Sequence, residues 1–342
     1  MKKKLVYILP TNFNHEGIKI KVLGQLSFFN KEFKTKLIKL NYKKNEFILI
    51  SLIKTLIFEI KSISHLLIFK HFFIRYNPKS FLINFTILFF SYIKKITIEH
   101  NLKMEDELKA MNRPLELLLH KITLRVFKFS KAQHLCVNME LKQALLDKGF
   151  NSKQLIYHQN GYLTPKITPS NLEEKTILNI KKLKKSYSKT AIFVGSGRPW
   201  HGLDLILSLF LKKIECGIIV IGPYNEIKSK QLLFIPHANS STISEISNYC
   251  DFGISNFNWE QINITEGSPL KSRQYLCNGL PILTNYKDSA EEYPSLKPFI
   301  FNLKENSNAI TDILNTSYSK NNIKKVAQKE LSWDNTYINL RL

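Results

Sequence analysis

The sequence predicts two α/β halves, each built on a parallel sheet, and three observations carry that expectation. Short all-apolar runs recur along the 342 residues. They are separated by helical segments of roughly 10–25 residues, the patterning of βαβ units. Each run ends in polar or turn-forming residues, as strands buried on both faces do. The pattern breaks across Tyr162–Lys189 and then restarts, and a chain this long exceeds the ~250–300 residues at which one core stops growing.

The first half opens on Leu5–Leu9, closed by Pro10. Asn12–Gly17 is turn chemistry, Ile18–Phe29 reads as a helix and Lys36–Leu40 as the second strand. Helical patterning covers Phe47–Lys61, and Leu66–Phe69 is the next apolar run. Ile96–Ile98 ends at Glu99-His100-Asn101, Gln133–Val137 ends at Asn138, and Gln154–Tyr157 stops before Asn160-Gly161. The break holds Pro165, Pro169 and a Lys-rich stretch. Beyond it, Ala191–Val194 leads into Gly195-Ser-Gly197, Ile218–Ile221 into Gly222-Pro223, and Phe252–Ser255 into an Asn-rich loop. Leu270–Cys277 is helical and stopped by Asn278-Gly279, and Pro281–Leu283 is a strand. The organisation expected is residues 1–162, residues 163–328, and a closing stretch 329–342 that returns to the first half.

Hydrophobic residues make up 44% of the chain and aromatics 12%, which excludes disorder and small disulfide scaffolds. Cys136, Cys216, Cys250 and Cys277 are far apart, so neither a structural zinc site nor a disulfide framework is expected, and a reducing cytoplasm fits. Lys2–Lys4 is followed by too short an apolar run for a signal peptide. Phe81–Ile93, 13 residues without a charge, falls short of the ~20 that span a bilayer.

Fifty Lys plus Arg against 27 Asp plus Glu leave a formal charge of +23. Nucleic acid, anionic lipid and a polyphosphate are the partners such a charge attracts, although an excess of Lys, Asn and Ile together is also what an AT-rich genome produces. Helix-turn-helix, zinc and RNA-recognition signatures are missing, which speaks against nucleic acid.

Ligands of open parallel sheets sit at the carboxyl ends of strands, so the loops there hold the candidate residues, with a cleft between the halves as the expected place. Gly195, Gly197, Arg198 and His201 follow one strand and open a helix. Glycines allow close backbone approach, a helix N-terminus favours an anion, and Arg198 offers a fork to phosphate oxygens. A plain βα turn with a solvated arginine reads equally from the glycines alone. Glu266, Gly267, Ser268, Pro269, Leu270, Lys271 and Gln274 form the second cluster, Lys271 and Gln274 sharing a helix face. That cluster suits a diphosphate with a neighbouring ribose, or an ordinary surface helix, and composition does not separate the two.

Ser268-Pro-Leu-Lys-Ser-Arg-Gln-Tyr-Leu-Cys-Asn-Gly-Leu-Pro281 resembles the nucleotide-binding segment of GT-B-fold glycosyltransferases, in particular the retaining family 4. In that family a pair of glutamates marks the segment. Glu266 matches the first, which contacts the donor sugar, and Gln274 stands where the second binds ribose. A Lys-x-x-Gln arrangement also resembles the membrane-associated xanthan glucuronosyltransferase, which inverts. Val194–Asp204 is similar to the first loop of the donor domain, with His201 in the place of a common lysine. Ile98-Glu-His-Asn101 resembles the strand end whose histidine faces the donor sugar, and Ser332-Trp-Asp-Asn335 looks like the terminal helix.

The resemblance implies two Rossmann-like domains facing a cleft, and transfer of a sugar from a nucleotide-sugar co-substrate with no metal and no other cofactor. It names His100 and Glu266 as catalytic, Glu99 as the base if the enzyme inverts, and retention as the favoured outcome. Gly17 is expected to admit the diphosphate to the backbone, although a plain turn glycine fits too. A saccharide or polyprenyl-diphosphate-linked acceptor in bacterial surface polysaccharide synthesis (capsule, O-antigen or exopolysaccharide) is the implied setting. A nucleotide-sugar epimerase and a basic nucleic-acid-binding protein are the alternatives.

Lys54, Lys61, Lys70, His71, Phe72, Phe73, Arg75, Tyr76, Lys79, Tyr92, Lys94 and Lys95 suggest a face that docks on the anionic inner leaflet, placing the protein in the cytoplasm as a peripheral membrane protein. Core aromatics beneath a solvated basic rim is the competing explanation.

Overall fold

The computed structural model describes residues 2–13, 15–41, 47–164, 172–340 and 342. The chain divides into two compact units, Met1–Gln159 with Tyr337–Leu342, and Asn160–Thr336.

The first unit runs β1 (Lys3–Asn12), α1 (Glu16–Glu32), β2 (Phe33–Leu40), α2 (Ile48–Ile68), β3 (His71–Arg75), α3 (Phe81–Phe90), β4 (Lys95–His100), α4 (Met104–Ala110), α5 (Pro114–Lys128), β5 (Gln133–Cys136), α6 (Met139–Asp147) and β6 (Leu155–Tyr157). The strands pair in parallel in the order β2-β1-β3-β4-β5-β6. Leu5 to Leu9 are each 0% exposed, because helices cover both faces of the sheet. On one face Val6, Ile8, Phe72 and Ile98 pack under Phe58 and Leu66 of α2, Ile83 and Ile87 of α3, and Phe127 of α5. On the other, Tyr7 and Phe73 pack ring to ring at 5.1 Å. Phe29 of α1 lies 4.9 Å from Phe73, and the returning Tyr337 stacks on Phe29. Each such ring contributes about 1.5–3 kcal/mol by burial.

The second unit runs α7 (Glu174–Ser186), β7 (Thr190–Val194), α8 (Leu203–Lys213), β8 (Gly217–Ile221), β9 (Leu232–Ile235), α9 (Ser240–Ser247), β10 (Phe252–Ile254), β11 (Glu266–Gly267), α10 (Leu270–Cys277), β12 (Ile282–Thr284), β13 (Lys287–Asp288), β14 (Ile300–Asn302), α11 (Ala309–Asn315), α12 (Lys320–Glu330) and α13 (Trp333–Thr336). Its six-stranded sheet has the order β14-β12-β10-β7-β8-β9, all parallel. Numbered within the unit and read from β9, that is 3-2-1-4-5-6, the doubly wound dinucleotide-binding order, whose direction reverses between β7 and β10. β11 and β13 form a separate two-stranded pair, Glu266 opposite Lys287.

Several expectations change. Leu66–Phe69 is not a strand: Leu66–Ile68 closes α2, and the strand begins at His71. Its residues Phe72 and Phe73, together with Tyr76, are core and not surface. The Lys-rich part of the expected break carries α7, whose Ile180 and Leu183 are buried, while Pro165 and Pro169 lie outside the described residues. The closing stretch is not one helix returning to the first unit: α12 and α13 pack within the second, and only residues from Tyr337 on cluster with the first. No helix among the described residues is long and apolar enough to cross a membrane.

Candidate functional site

At the β7/β10 reversal of the second unit, two loops meet. The loop after β7 holds Gly195, Gly197, Arg198 and His201, with a 3-10 turn at Pro199–His201 and then Gly202, the N-cap of α8. Gly197 (φ 77°) and Gly202 (φ 76°) sit in the left-handed region, where a Cβ is costly. The backbone N–H of Phe257, in the loop after β10, donates to the His201 carbonyl at 3.1 Å, which ties the two loops together. Gly195 is constrained by space instead. A Cβ there would collide with the Tyr224 hydroxyl and come within 3.0 Å of His201 Nδ1. Gly195→Ala should therefore displace the loop and lower the melting temperature by roughly 2–12 °C, for an overpacking cost of about 1–3 kcal/mol. Thermal unfolding checks this, and an unchanged melting temperature would show that the loop absorbs the added Cβ.

His201 is half-buried, and its Nδ1 accepts the Ser196 backbone N–H at 3.2 Å. Burial first, then the Lys271 and Arg198 charges, push its pKa down to about 2, so the imidazole is neutral and polar rather than a third cation. Arg198 is exposed and lies 5.5 Å from the centre of the Trp200 ring.

Lys271 lies on the first turn of α10. Its stem is partly exposed, whereas Nζ is buried and has no hydrogen-bond partner. The ammonium sits 4.8 Å from the centre of the Phe193 ring of β7, and burial lowers its pKa to about 7. A buried cation with no counter-charge is costly, and the lowered pKa reflects that cost.

The rest of α10 is anchored on almost every side. Val194 N–H donates to the Tyr275 hydroxyl at 2.8 Å, and Gln274 Nε2 donates to the carbonyl and hydroxyl oxygens of Ser240 at 3.1 and 3.0 Å. The Ser268 hydroxyl accepts the Asn160 N–H at 2.8 Å, and the Asn160 side chain donates to the Ser268 carbonyl at 2.6 Å. Gly267 lies flat against Trp259, whose ring a Cβ would strike. Pro269 is the N-cap of α10 and Leu270 its first residue. Glu266 is buried, 3.9 Å from Lys287 Nζ. Arg273, in the same segment, escapes a sequence reading. It is fully buried, paired with Asp288, and donates to Ser289 Oγ at 2.6 Å. The one signal was its place three residues after Leu270 and three before Leu276, on the apolar stripe.

The remaining candidates belong to the first unit. Gly17 lies in the first turn of α1, with nothing nearer to an added Cβ than the His15 ring at 3.7 Å, so the protein's own packing does not demand a glycine there. Glu99 and His100 are consecutive on β4 and therefore point to opposite faces.

Glu99 is fully buried in a polar network. Lys21 Nζ pairs with it at 2.9 Å, and Gln25, Asn101 and Tyr337 donate at 2.5, 3.1 and 3.3 Å. Burial pushes its pKa up, but the Lys21 and Arg75 charges and the donors outweigh that and leave it below the usual range. A carboxylate so enclosed holds α1 and Tyr337 to the sheet and is poorly placed to take a proton from a substrate. His100 shares a hydrogen bond of 3.0 Å with His134 Nδ1 and packs on Tyr76. Burial, then the His134 and His120 rings, hold it well below the usual imidazole range. It lines a cavity of about 370 Å³ with Tyr76, His120, Lys103 and Lys148.

No family model and no curated protein matches the sequence. Solved structures do match its fold. Sucrose-phosphate synthase from Thermosynechococcus elongatus aligns over 99% of this chain and 97% of its own, with TM-score 0.66 and 10% identity. WaaG, a glycosyltransferase involved in lipopolysaccharide biosynthesis, aligns over 98% and 99%, with TM-score 0.64 and 11% identity. Anabaena HepE in complex with UDP and glucose aligns over 96% of each chain, with TM-score 0.58 and 9% identity. The protein has the GT-B fold of such glycosyltransferases.

Proposed function

We propose that this protein is a glycosyltransferase that takes its sugar from a nucleotide-sugar donor. The observation that carries the reading is the buried, unpartnered Lys271 ammonium at the sheet reversal where doubly wound folds bind nucleotides. As the anomeric C–O bond breaks, negative charge grows on the departing diphosphate, and preorganised cations and N–H groups lower the barrier by meeting it. Lys271, Arg198 and the amides around Gly195 and Gly197 take that role, and no metal is invoked. Gln274 has committed its amide nitrogen to Ser240, which leaves its carbonyl oxygen to accept from a ribose hydroxyl. Gly267, Ser268, Pro269 and Leu270 shape the approach to α10.

Glu266 is assigned to the transferred sugar, and the resemblance nominates His100 and Gly17 from the first unit. With Glu99 enclosed by Lys21 and Gln25, retention is favoured, and the anomeric configuration of the product by NMR tests it. The acceptor is proposed to be a lipid-linked or growing saccharide, in surface polysaccharide synthesis at the cytoplasmic face of a bacterial membrane.

Thermal-shift titration with UDP-, GDP- and dTDP-sugars tests the reading. One nucleotide should stabilise the protein by about 2.7 kcal/mol at a hundred times its Kd. No shift with any of them would sink the proposal, and isomerised donor formed without acceptor would establish the epimerase instead. Arg198→Ala should weaken binding of the stabilising nucleotide about 10-fold, near the low end for a charge-assisted hydrogen bond because the guanidinium is exposed.

A further inference from the structure

The helices α2 and α3 cover the sheet of the first unit with one face and leave the other apolar. On α3, Phe81, Phe85 and Phe89 stand at i, i+4 and i+8, ring to ring at 6.1 Å in each step, and Phe89 is 63% exposed. On α2, Leu49, Leu52, Ile53, Leu56, Ile57 and Ile60 are exposed as well. A helix on the surface of a water-soluble domain carries polar residues there, and an apolar patch of this extent marks a binding surface. The two helices are fastened to each other. Glu59 of α2, itself buried, faces the backbone N–H groups of Leu82 and Ile83 at the start of α3, which counter the upward push of burial on its pKa. At the other end Lys94 Nζ donates to the Leu67 carbonyl at 3.2 Å.

The charge around the patch names its occupant. Between residues 47 and 95 there are seven Lys and Arg and a single acidic residue, Glu59, which faces inward. Lys61, Lys70 and Lys95 are exposed around the patch, and Lys131 stands over the Tyr92 ring. A second copy of the chain would bring two such cationic rims together, against like-charge repulsion, whereas a bilayer bearing anionic headgroups satisfies both the rim and the apolar centre.

We propose that α2 and α3 lie in the plane of an anionic lipid bilayer, with the α3 phenylalanines inserted among the acyl chains and the lysines at the headgroups. Neither helix crosses: α3 has only 10 residues, and α2, with 21, carries Lys54, Glu59 and Lys61. The proposal deepens the reading of a membrane-borne acceptor by assigning the surface that meets the membrane.

Vesicle sedimentation of the full chain, without donor, tests it separately from sugar transfer. Partitioning into vesicles half phosphatidylglycerol should exceed that into pure phosphatidylcholine at least about 10-fold at low salt, given ~1 kcal/mol per cation. Phe85→Ser with Phe89→Ser should lower partitioning at least about 10-fold, by loss of inserted apolar area. Lys61→Glu with Lys95→Glu should abolish the anionic preference. A cooperative melting transition like that of wild type shows that these variants are folded. In a Phe85→Trp variant, anionic vesicles should shift the emission to the blue. No sedimentation with anionic vesicles, or wild-type partitioning by the phenylalanine variant, overturns the proposal. So does a stable dimer in solution that the same phenylalanine changes dissociate, since a second copy would then cover the face.

Discussion

Replacing Lys271 by methionine should slow sugar transfer about 10–100-fold and, at the same time, raise the melting temperature. The two effects share one cause. In the ligand-free protein the ammonium is buried over Phe193 with no hydrogen-bond partner, so the fold bears a cost that a bound anion, or loss of the proton, removes. A charge-assisted hydrogen bond to a diphosphate oxygen is worth ~1.5–3 kcal/mol, which sets the range for turnover. Methionine has a similar length and no charge to desolvate. Because the stem of Lys271 is partly exposed, the gain in stability is modest, about 2–4 °C for roughly 1 kcal/mol in a domain of this size.

The pH dependence has a definite sign. With a native pKa of about 7 and an unfolded value near ~10.4, the unfolded chain binds more protons between those limits. Stability therefore rises with pH across that window, and the cost of the buried cation is complete below pH about 7. The melting-temperature gain of Lys271→Met is largest there and fades at high pH. Donor binding runs the other way. Above pH about 7 the free lysine is neutral and must take up a proton to meet the diphosphate, so affinity falls as pH rises. Calorimetry in buffers of different ionisation enthalpy measures that proton. A flat affinity profile together with a lower melting temperature for the methionine variant would show that Lys271 is an ordinary packing residue.

How much of this was legible in the sequence follows the physics of each element. Central strands such as β7 and β8 are buried on both faces, so their apolar runs stand out, and α10 ends at Asn278-Gly279 as its stop signal predicts. β9 and β14 are short, half-buried edge strands, and their apolar runs, of four and two residues, are too brief to stand out among the loops. The end of α2 is as apolar as a strand, so the sequence places a strand at Leu66–Phe69, ahead of β3, and leaves Phe72 and Phe73 open between surface and core, which the structure settles as core. Among the site residues, sequence reasoning located the loops from their glycines and charges. It had no means to tell a charge that awaits a ligand from one already neutralised within the protein. Lys271 has no partner, whereas Glu99 is enclosed by Lys21, Gln25, Asn101 and Tyr337, and only their surroundings separate the two.

Arg273 is the opposite case, and Arg273→Ala should cost about 3–5 kcal/mol of stability, the range for removing one partner of a buried ion pair. Arg273 and Asp288 are both 0% exposed, so alanine would leave the aspartate buried without its cation. The pair is embedded in further bonds. Ser289 accepts from the guanidinium, the Tyr286 hydroxyl donates to Asp288 at 2.8 Å, and Asp288 also accepts the Ala290 N–H at 2.9 Å. Tyr286 in turn bonds Ser255 and Ser272 at 2.7 and 3.0 Å, so the network joins the loop after β10, α10 and the segment after β12. Losing the cation frees the loop that carries Glu266 as well as the helix that carries Lys271. Thermal unfolding should move down by roughly 6–20 °C at about 2–4 °C per kcal/mol. Replacing both partners with well-packed apolar residues should restore much of that loss, because no charge then stays buried alone. Differential scanning calorimetry of the single and double variants decides it. A single variant that melts within about 1 °C of wild type, well under the shift expected for 1 kcal/mol, would show that water reaches Asp288 and that the pair does not hold the site together.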